Sequence, residues 1–178
     1  MGIAHRIILG LAALAVLVVA PTSAGLAVPR SPAASLSHFE SSLLADINAF
    51  RAAHGLARLH LSSQLTSAAR EHSQQMAQDG YFSHESVDGS AFSARLQSFY
   101  RVLPTHSWAV GENLLWSSGA LNGARALKLW LASPPHRRTL LDPLWREIGV
   151  SAVHEAHAPG VYHGFDVTIL TADLGVRR

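Results

Sequence analysis

Along the chain the apolar positions change period, and the changes divide it into segments. Residues 7–20 form an apolar run without periodicity, followed by Pro21 and the small residues Thr22, Ser23, Ala24, Gly25 and Ala27. With Arg6 ahead of it, this run reads as part of a secretory leader over residues 1–27. At 14 residues it is shorter than the roughly 20 that cross a bilayer, which favours cleavage over anchoring. Residues 28–36, with Pro29 and Pro32 among small side chains, read as a linker, and the folded domain is expected over 37–178.

From there the period is helical. Phe39, Leu43, Ile47 and Phe50 recur at three- and four-residue steps, and Gly55 supplies the stop. Ser62 or Ser63 caps a second helix, whose Leu65, Ala68, Ala69, His72 and Met76 share one face until Asp79-Gly80 ends it. Asp88, Gly89 and Ser90 make a turn, and Phe92, Leu96 and Phe99 line a short third helix that Pro104 closes. Residues 108–116 are apolar around Gly111 and read as a short strand or extended segment buried on both sides. Helical spacing returns over 120–131, with Leu127, Trp130 and Leu131, and stops at Ser133, Pro134 and Pro135. Pro135 is also suited to open a further helical turn to Leu141. Then the period becomes two. Ile148, Val150 and Ala152 alternate over 147–154, and 161–172 is β-rich, predicting an antiparallel pair joined at Ala158, Pro159 and Gly160. Helices first and strands last imply an α+β fold.

Composition narrows the function classes. Fourteen Lys and Arg against twelve Asp and Glu leave a net charge of +2, which excludes nucleic-acid binding driven by bulk charge. No cysteine is present, so disulfides, Cys-ligated zinc, iron–sulfur clusters and thiol nucleophiles are excluded, and any metal must sit on His, Asp or Glu. The core must therefore hold the fold unaided, and a domain of about 150 residues buries roughly 68–70% of its unfolded surface.

Three segments look unlike ordinary scaffold: 81–89, 111–114 and 130–143, carrying His84, Glu112 and His136. An ionisable group in an apolar stretch faces solvent, is hydrogen-bonded or paired, or binds metal, and spacing does not choose among these. The four tryptophans, Trp108, Trp116, Trp130 and Trp145, read as core, Arg137 and Arg138 as a solvated helix face, and His154, His157 and His163 as exposed turn residues.

The motifs, taken in order, resemble a known family. Residues 43–51, Phe82-Ser83-His84, Gly111-Glu112-Asn113, Ser133-Pro134-Pro135-His136-Arg137 and Glu147-Ile148-Gly149-Val150 are similar to the CAP superfamily: cysteine-rich secretory proteins, antigen 5 and pathogenesis-related 1 proteins. The resemblance runs from about Ser37 to the C-terminus and is greatest to the cysteine-free, SCP-like extracellular bacterial branch. It implies a three-layer α-β-α sandwich with a central antiparallel sheet. It also implies a shallow cleft of two histidines and two glutamates that in some members holds a divalent metal. Carried over, His84, His136 and Glu112 are the metal residues, with zinc the chemically reasonable ion. The second glutamate is missing, with Ser133 or a near neighbour in its place, while Ser83, Asn113 and Ser133 line the cleft. Glu112 is a ligand, a support for a histidine from behind, or, if there is catalysis, its general base. The bland alternative is a hydrogen-bonded polar network.

The function expected from this is an exported, non-enzymatic binding module for a small apolar ligand or an extracellular or envelope protein. No nucleic acid and no membrane-spanning segment after leader removal are expected. The competing expectation is a metal-dependent hydrolase of peptide or cell-envelope substrates.

Overall fold

The computed structural model describes residues 36–101 and 107–178; the leader, nearly all of the linker, and Pro104 lie outside the described residues. The elements are α1 (His38–Ala53), β1 (His60–Leu61), α2 (Ser63–Asp79), α3 (Phe92–Phe99), β2 (Trp108–Ser118), α4 (Gly123–Ala132), α5 (Pro134–Leu141), β3 (Glu147–Glu155) and β4 (Val167–Arg177).

The helix ends follow local chemistry. Ser37 and Glu40 form a reciprocal capping box on α1: the Ser37 hydroxyl accepts from the Glu40 amide at 3.2 Å, and the Glu40 carboxylate accepts from the Ser37 amide at 2.7 Å. The second Glu40 oxygen accepts from the Ala152 amide at 2.9 Å, pinning this helix start to β3. Ser62 caps α2, and Gly80 ends it in the left-handed conformation. Ser133 is at once the last cap of α4 and the first of α5, so the two helices meet with no loop between them. Pro134 occupies the first position of α5, where its missing N–H costs nothing.

The sheet order is β1-β3-β4-β2. The three long strands pair antiparallel, while the two-residue β1 adds a parallel edge on β3, making the sheet mixed. Two features of the strand region differ from the sequence expectation. β1 is too short to carry a period, and the last strand begins at Val167 rather than 161, because Gly160–Tyr162 forms a 3-10 turn that packs Tyr162 inward. Helices α1, α4 and α5 cover one face of the sheet and α2 and α3 the other, giving the three-layer sandwich.

The first face is mainly apolar: Leu170, Ala172, Leu174 and Val176 of β4 meet Leu43, Ile47, Leu127 and Trp130. Trp130 and Trp145 are buried there, while Trp108 and Trp116 are half-buried on the other face. Arg51, fully buried, ties this layer together: its guanidinium donates to the carbonyls of Ala57, Leu140 and Asp142. On the second face α2 lies unusually close to the sheet. A Cβ at Gly149 would sit 2.1 Å from backbone atoms of Leu65 and Thr66, so only glycine permits this approach.

Candidate functional site

The site begins at the end of α2. A Cβ on Gly160 would lie 2.0 Å from the Gly80 carbonyl oxygen and one on Gly80 would lie 2.8 Å from Gly160, so the two glycines hold their backbones in direct contact. The Val161 amide donates to the Gly80 carbonyl at 2.9 Å, and the Tyr162 hydroxyl to the Tyr81 carbonyl at 2.7 Å. Further back on α2, His72 is fully buried, and burial together with the nearby Arg95 charge pushes its pKa down to about 4. It is thus neutral, and its Nε2–H donates to the Ser83 carbonyl at 2.9 Å. These contacts fix the segment that carries His84.

Glu112 stands in the middle of β2, an edge strand of the sheet, with its side chain turned to the α2–α3 face and almost fully buried. One carboxylate oxygen accepts from His84 Nδ1 at 2.7 Å; the other accepts from Arg95 Nη2 of α3. Arg95 Nη1 donates to the His84 carbonyl at 3.1 Å and to the Ser86 hydroxyl at 3.3 Å, so one guanidinium clamps both the carboxylate and the loop. The hydrogen bond from Glu112 pushes the His84 pKa up, against the opposing effect of burial. His84 itself remains about half exposed, its side chain 47% accessible.

Directly across the ladder from Glu112 is Asp173, fully buried. Burial and the neighbouring Glu112 charge push its pKa far up, which favours the neutral acid. Neither of its oxygens has a conventional hydrogen-bond partner among the described residues.

From the opposite face of β2, the Asn113 amide donates to the His136 carbonyl at 3.0 Å, setting the first turn of α5 over the strand edge. Burial lowers the His136 pKa, and the proximity of His84 lowers it further. His136 is thus near enough to His84 for the two charges to interact.

Of the residues expected at the site, His84 and Glu112 are bonded, His136 lies within electrostatic reach of His84, and Asn113 contributes through the His136 backbone. Ser83 is present, but its hydroxyl donates to Glu85 rather than toward the histidines. Ser133 sits at the α4–α5 joint, three residues before His136. Among the described residues no group of three or more His, Cys, Asp or Glu stands where it could hold a metal together. His154, His157 and His163 are exposed.

Three participants were missed by sequence reasoning. Arg95 carried a signal: three residues after Phe92 and four before Phe99, it lies on the same helical face. Asp173 is a lone carboxylate between Ala172 and Leu174 in an apolar strand. His72 was placed on the buried face without a role. What spacing cannot provide is that α3, β2 and β4 bring Arg95, Glu112 and Asp173 together.

Beside the cleft's second histidine, α4 and α5 form an apolar groove of about 750 Å³, walled by Leu131, Pro134, Leu141 and Pro143 and edged by Arg137 and Arg138.

The profile of the cysteine-rich secretory protein family, CAP, matches residues 44–165, and the chain belongs to that family. YkwD of Bacillus subtilis (strain 168), an uncharacterized protein, is 33% identical over 124 residues, covering 69% of this chain and 46% of the relative. YlbC of the same organism, described as an uncharacterized membrane protein, is 31% identical over 111 residues, covering 62% of this chain and 30% of the relative. The chain thus spans less than half the length of either. Among solved structures, an extracellular protein containing an SCP domain from Bacillus anthracis is 25% identical with a TM-score of 0.58, covering 79% of this chain and 44% of that one. An outer surface protein from Borrelia burgdorferi shares the fold at 17% identity and a TM-score of 0.64, covering 82% and 97% of the two chains.

Proposed function

We propose that this chain is exported and acts outside the cytoplasm as a non-enzymatic binding module. The apolar leader pattern of residues 1–27 supports export, as do the descriptions of the Bacillus anthracis and Borrelia relatives as extracellular and outer-surface proteins. No helix among the described residues is long and apolar enough to cross a membrane.

The observation that carries the binding reading is the state of Glu112. A hydrolase with Glu112 itself as base or metal ligand would need this carboxylate free, yet both of its oxygens are engaged, by Arg95 and by His84, in a buried setting. Ser83, the hydroxyl nearest His84 in sequence, points to Glu85 instead of a base.

The donor set fits a weak divalent-metal site of two imidazoles. Using Nδ1 of His84 for Glu112 leaves Nε2 outward, the arrangement in which a carboxylate orients a ligating histidine from behind. His84 and His136 would hold zinc, and bound metal would supply a Lewis-acid contact for an oxygen-bearing partner. The α4–α5 groove is the surface for an apolar ligand.

Calorimetric titration of zinc into the purified chain tests the cleft, beside native mass spectrometry of protein from its secreting host to test the groove. Zinc binding should weaken as pH falls through the histidine range and vanish in His84→Ala/His136→Ala, while Glu112→Gln should reduce affinity by about 10- to 100-fold without abolishing it. Zinc binding indifferent to the histidine variant, together with protein that carries no extractable ligand, would sink the proposal; turnover of an envelope peptide lost in Glu112→Gln would replace it with the hydrolase.

A further inference from the structure

Besides the side it turns to the sheet, the α4–α5 layer carries a second regular pattern. Gly123, Ala126, Leu127 and Trp130 are the buried side of α4, and Arg125, Lys128, Leu129 and Ala132 repeat the same spacing on its exposed side. On α5, Pro134, Arg137, Arg138 and Leu141 again share one face, and all four line the apolar groove. Ala132 lines it as well, so the two stripes meet at the groove and form one surface.

The charge on this surface is one-sided. Residues 120–146 hold five Lys and Arg and a single acid, Asp142, whereas the rest of 37–178 holds seven Lys and Arg against eleven Asp and Glu. The small net charge of the chain therefore hides a basic face. Arg125, Lys128, Arg137 and Arg138 are exposed, and none of them forms a salt bridge among the described residues. Asp142 is turned to other work: it is half-buried, its carboxylate accepts from the Leu144 amide at 2.8 Å, and its charge acts on the buried Arg51. Leu129, 40% exposed, stands among the cations of α4.

Cations and apolar area side by side match a partner that presents phosphates over hydrocarbon. A soluble polyanion would engage the four charges and leave Leu129 and the groove wet. An uncharged apolar ligand would fill the groove and leave the charges unused. We propose that the exposed face of α4 and α5 docks on the surface of an anionic lipid bilayer, with Arg125, Lys128, Arg137 and Arg138 at the phosphates and with Leu129 and the groove against the acyl region. This docking rests on the groove's being the apolar contact surface of the binding module, and it needs no metal at His84 or His136.

The test is flotation of the purified chain with vesicles of phosphatidylcholine alone and of phosphatidylcholine and phosphatidylglycerol in equal parts. The chain should float with the mixed vesicles and not with phosphatidylcholine. Raising the salt from about 0.1 M to about 1 M, which shortens the screening length from about 10 Å to about 3 Å, should weaken the binding. Arg137→Gln/Arg138→Gln should weaken it about 25-fold, at roughly fivefold per charge. Leu129→Gln, at an exposed position where glutamine keeps the helix, should weaken it about fivefold. Arg70→Gln/Arg101→Gln removes the same net charge from the α2–α3 side and should change it by less than about twofold.

Flotation with neither vesicle, equal flotation with phosphatidylcholine, or a loss in Arg70→Gln/Arg101→Gln as large as that in Arg137→Gln/Arg138→Gln would overturn the proposal. So would a Leu129→Gln variant that binds as the parent does, because charge alone would then carry the contact, as for a soluble polyanion. An extractable ligand in native mass spectra without flotation would keep the groove as a ligand site and overturn only the bilayer docking. His84→Ala/His136→Ala should float like the parent, which separates the docking face from the metal cleft.

Discussion

The two faces of the sheet are stabilised in different ways, although one strand supplies both. Leu170, Ala172, Leu174 and Val176 of β4 meet a mainly apolar layer from α1, α4 and α5, where most contacts are non-directional. Thr171 and Asp173, pointing the other way, enter a layer in which Ser73, His72, Arg95 and Glu112 are also buried. There each group depends on a particular partner, and the low dielectric makes a missing partner costly. The second face also carries apolar clusters around Met76 and Leu65, and its polar groups hold the loop that presents His84.

The comparison is broken most severely by removing Arg95. Arg95→Ala leaves Glu112 buried without its cation and should cost about 3–5 kcal/mol in urea denaturation. Trp130→Ala on the apolar face should cost about as much, roughly 3–5 kcal/mol, through cavity formation and the lost bond to the Leu114 carbonyl. The two losses differ in how they are repaired. Adding Glu112→Leu to an Arg95→Met background should recover most of the stability, because the uncompensated charge is gone, whereas no single partner change restores Trp130→Ala. Failure of the double variant to recover would mean that the pair stabilises the domain outright.

His72 sharpens the comparison through pH. Its folded pKa of about 4 lies below the ordinary histidine value of 6.5, so the unfolded chain binds more protons in this window. Its contribution is complete above pH 6.5 and is lost as pH falls toward 4, amounting to something on the order of 3 kcal/mol. His72→Gln keeps a donor for the Ser83 carbonyl and should remove that loss, seen as a flatter denaturation profile between these pH values.

Asp173 should give a slope of opposite sign. Its folded pKa is raised above 3.8, so the stability it contributes is present below that value and declines as pH rises toward the folded pKa. Asp173→Asn preserves shape and neutrality and should abolish the decline, leaving the variant at least as stable as the parent chain at neutral pH. A loss of several kcal/mol would show that Asp173 is ionised and paired with Arg95.

Both ends of α2 and the family were legible in the residues alone. Ser62 and Gly80 act through their nearest neighbours, so their chemistry is local and readable. The motifs around His84, Glu112, His136 and Gly149 were distinctive enough in order to specify the CAP sandwich before any coordinates. β1 was not legible, because two residues carry no period and pair only where β3 receives them. The start of β4 was misplaced because Val161 and Tyr162 are β-formers drawn into a tight turn by the Gly80–Gly160 contact. Tertiary structure alone decided what Glu112 does. Its partners are Arg95, 17 residues before it, and His84, 28 residues before it, while Asp173 faces it across the sheet. Whether a buried carboxylate is a ligand, a base or one member of an ion pair depends on which charges the fold brings within a few ångströms, and that proximity is not recorded in any local pattern.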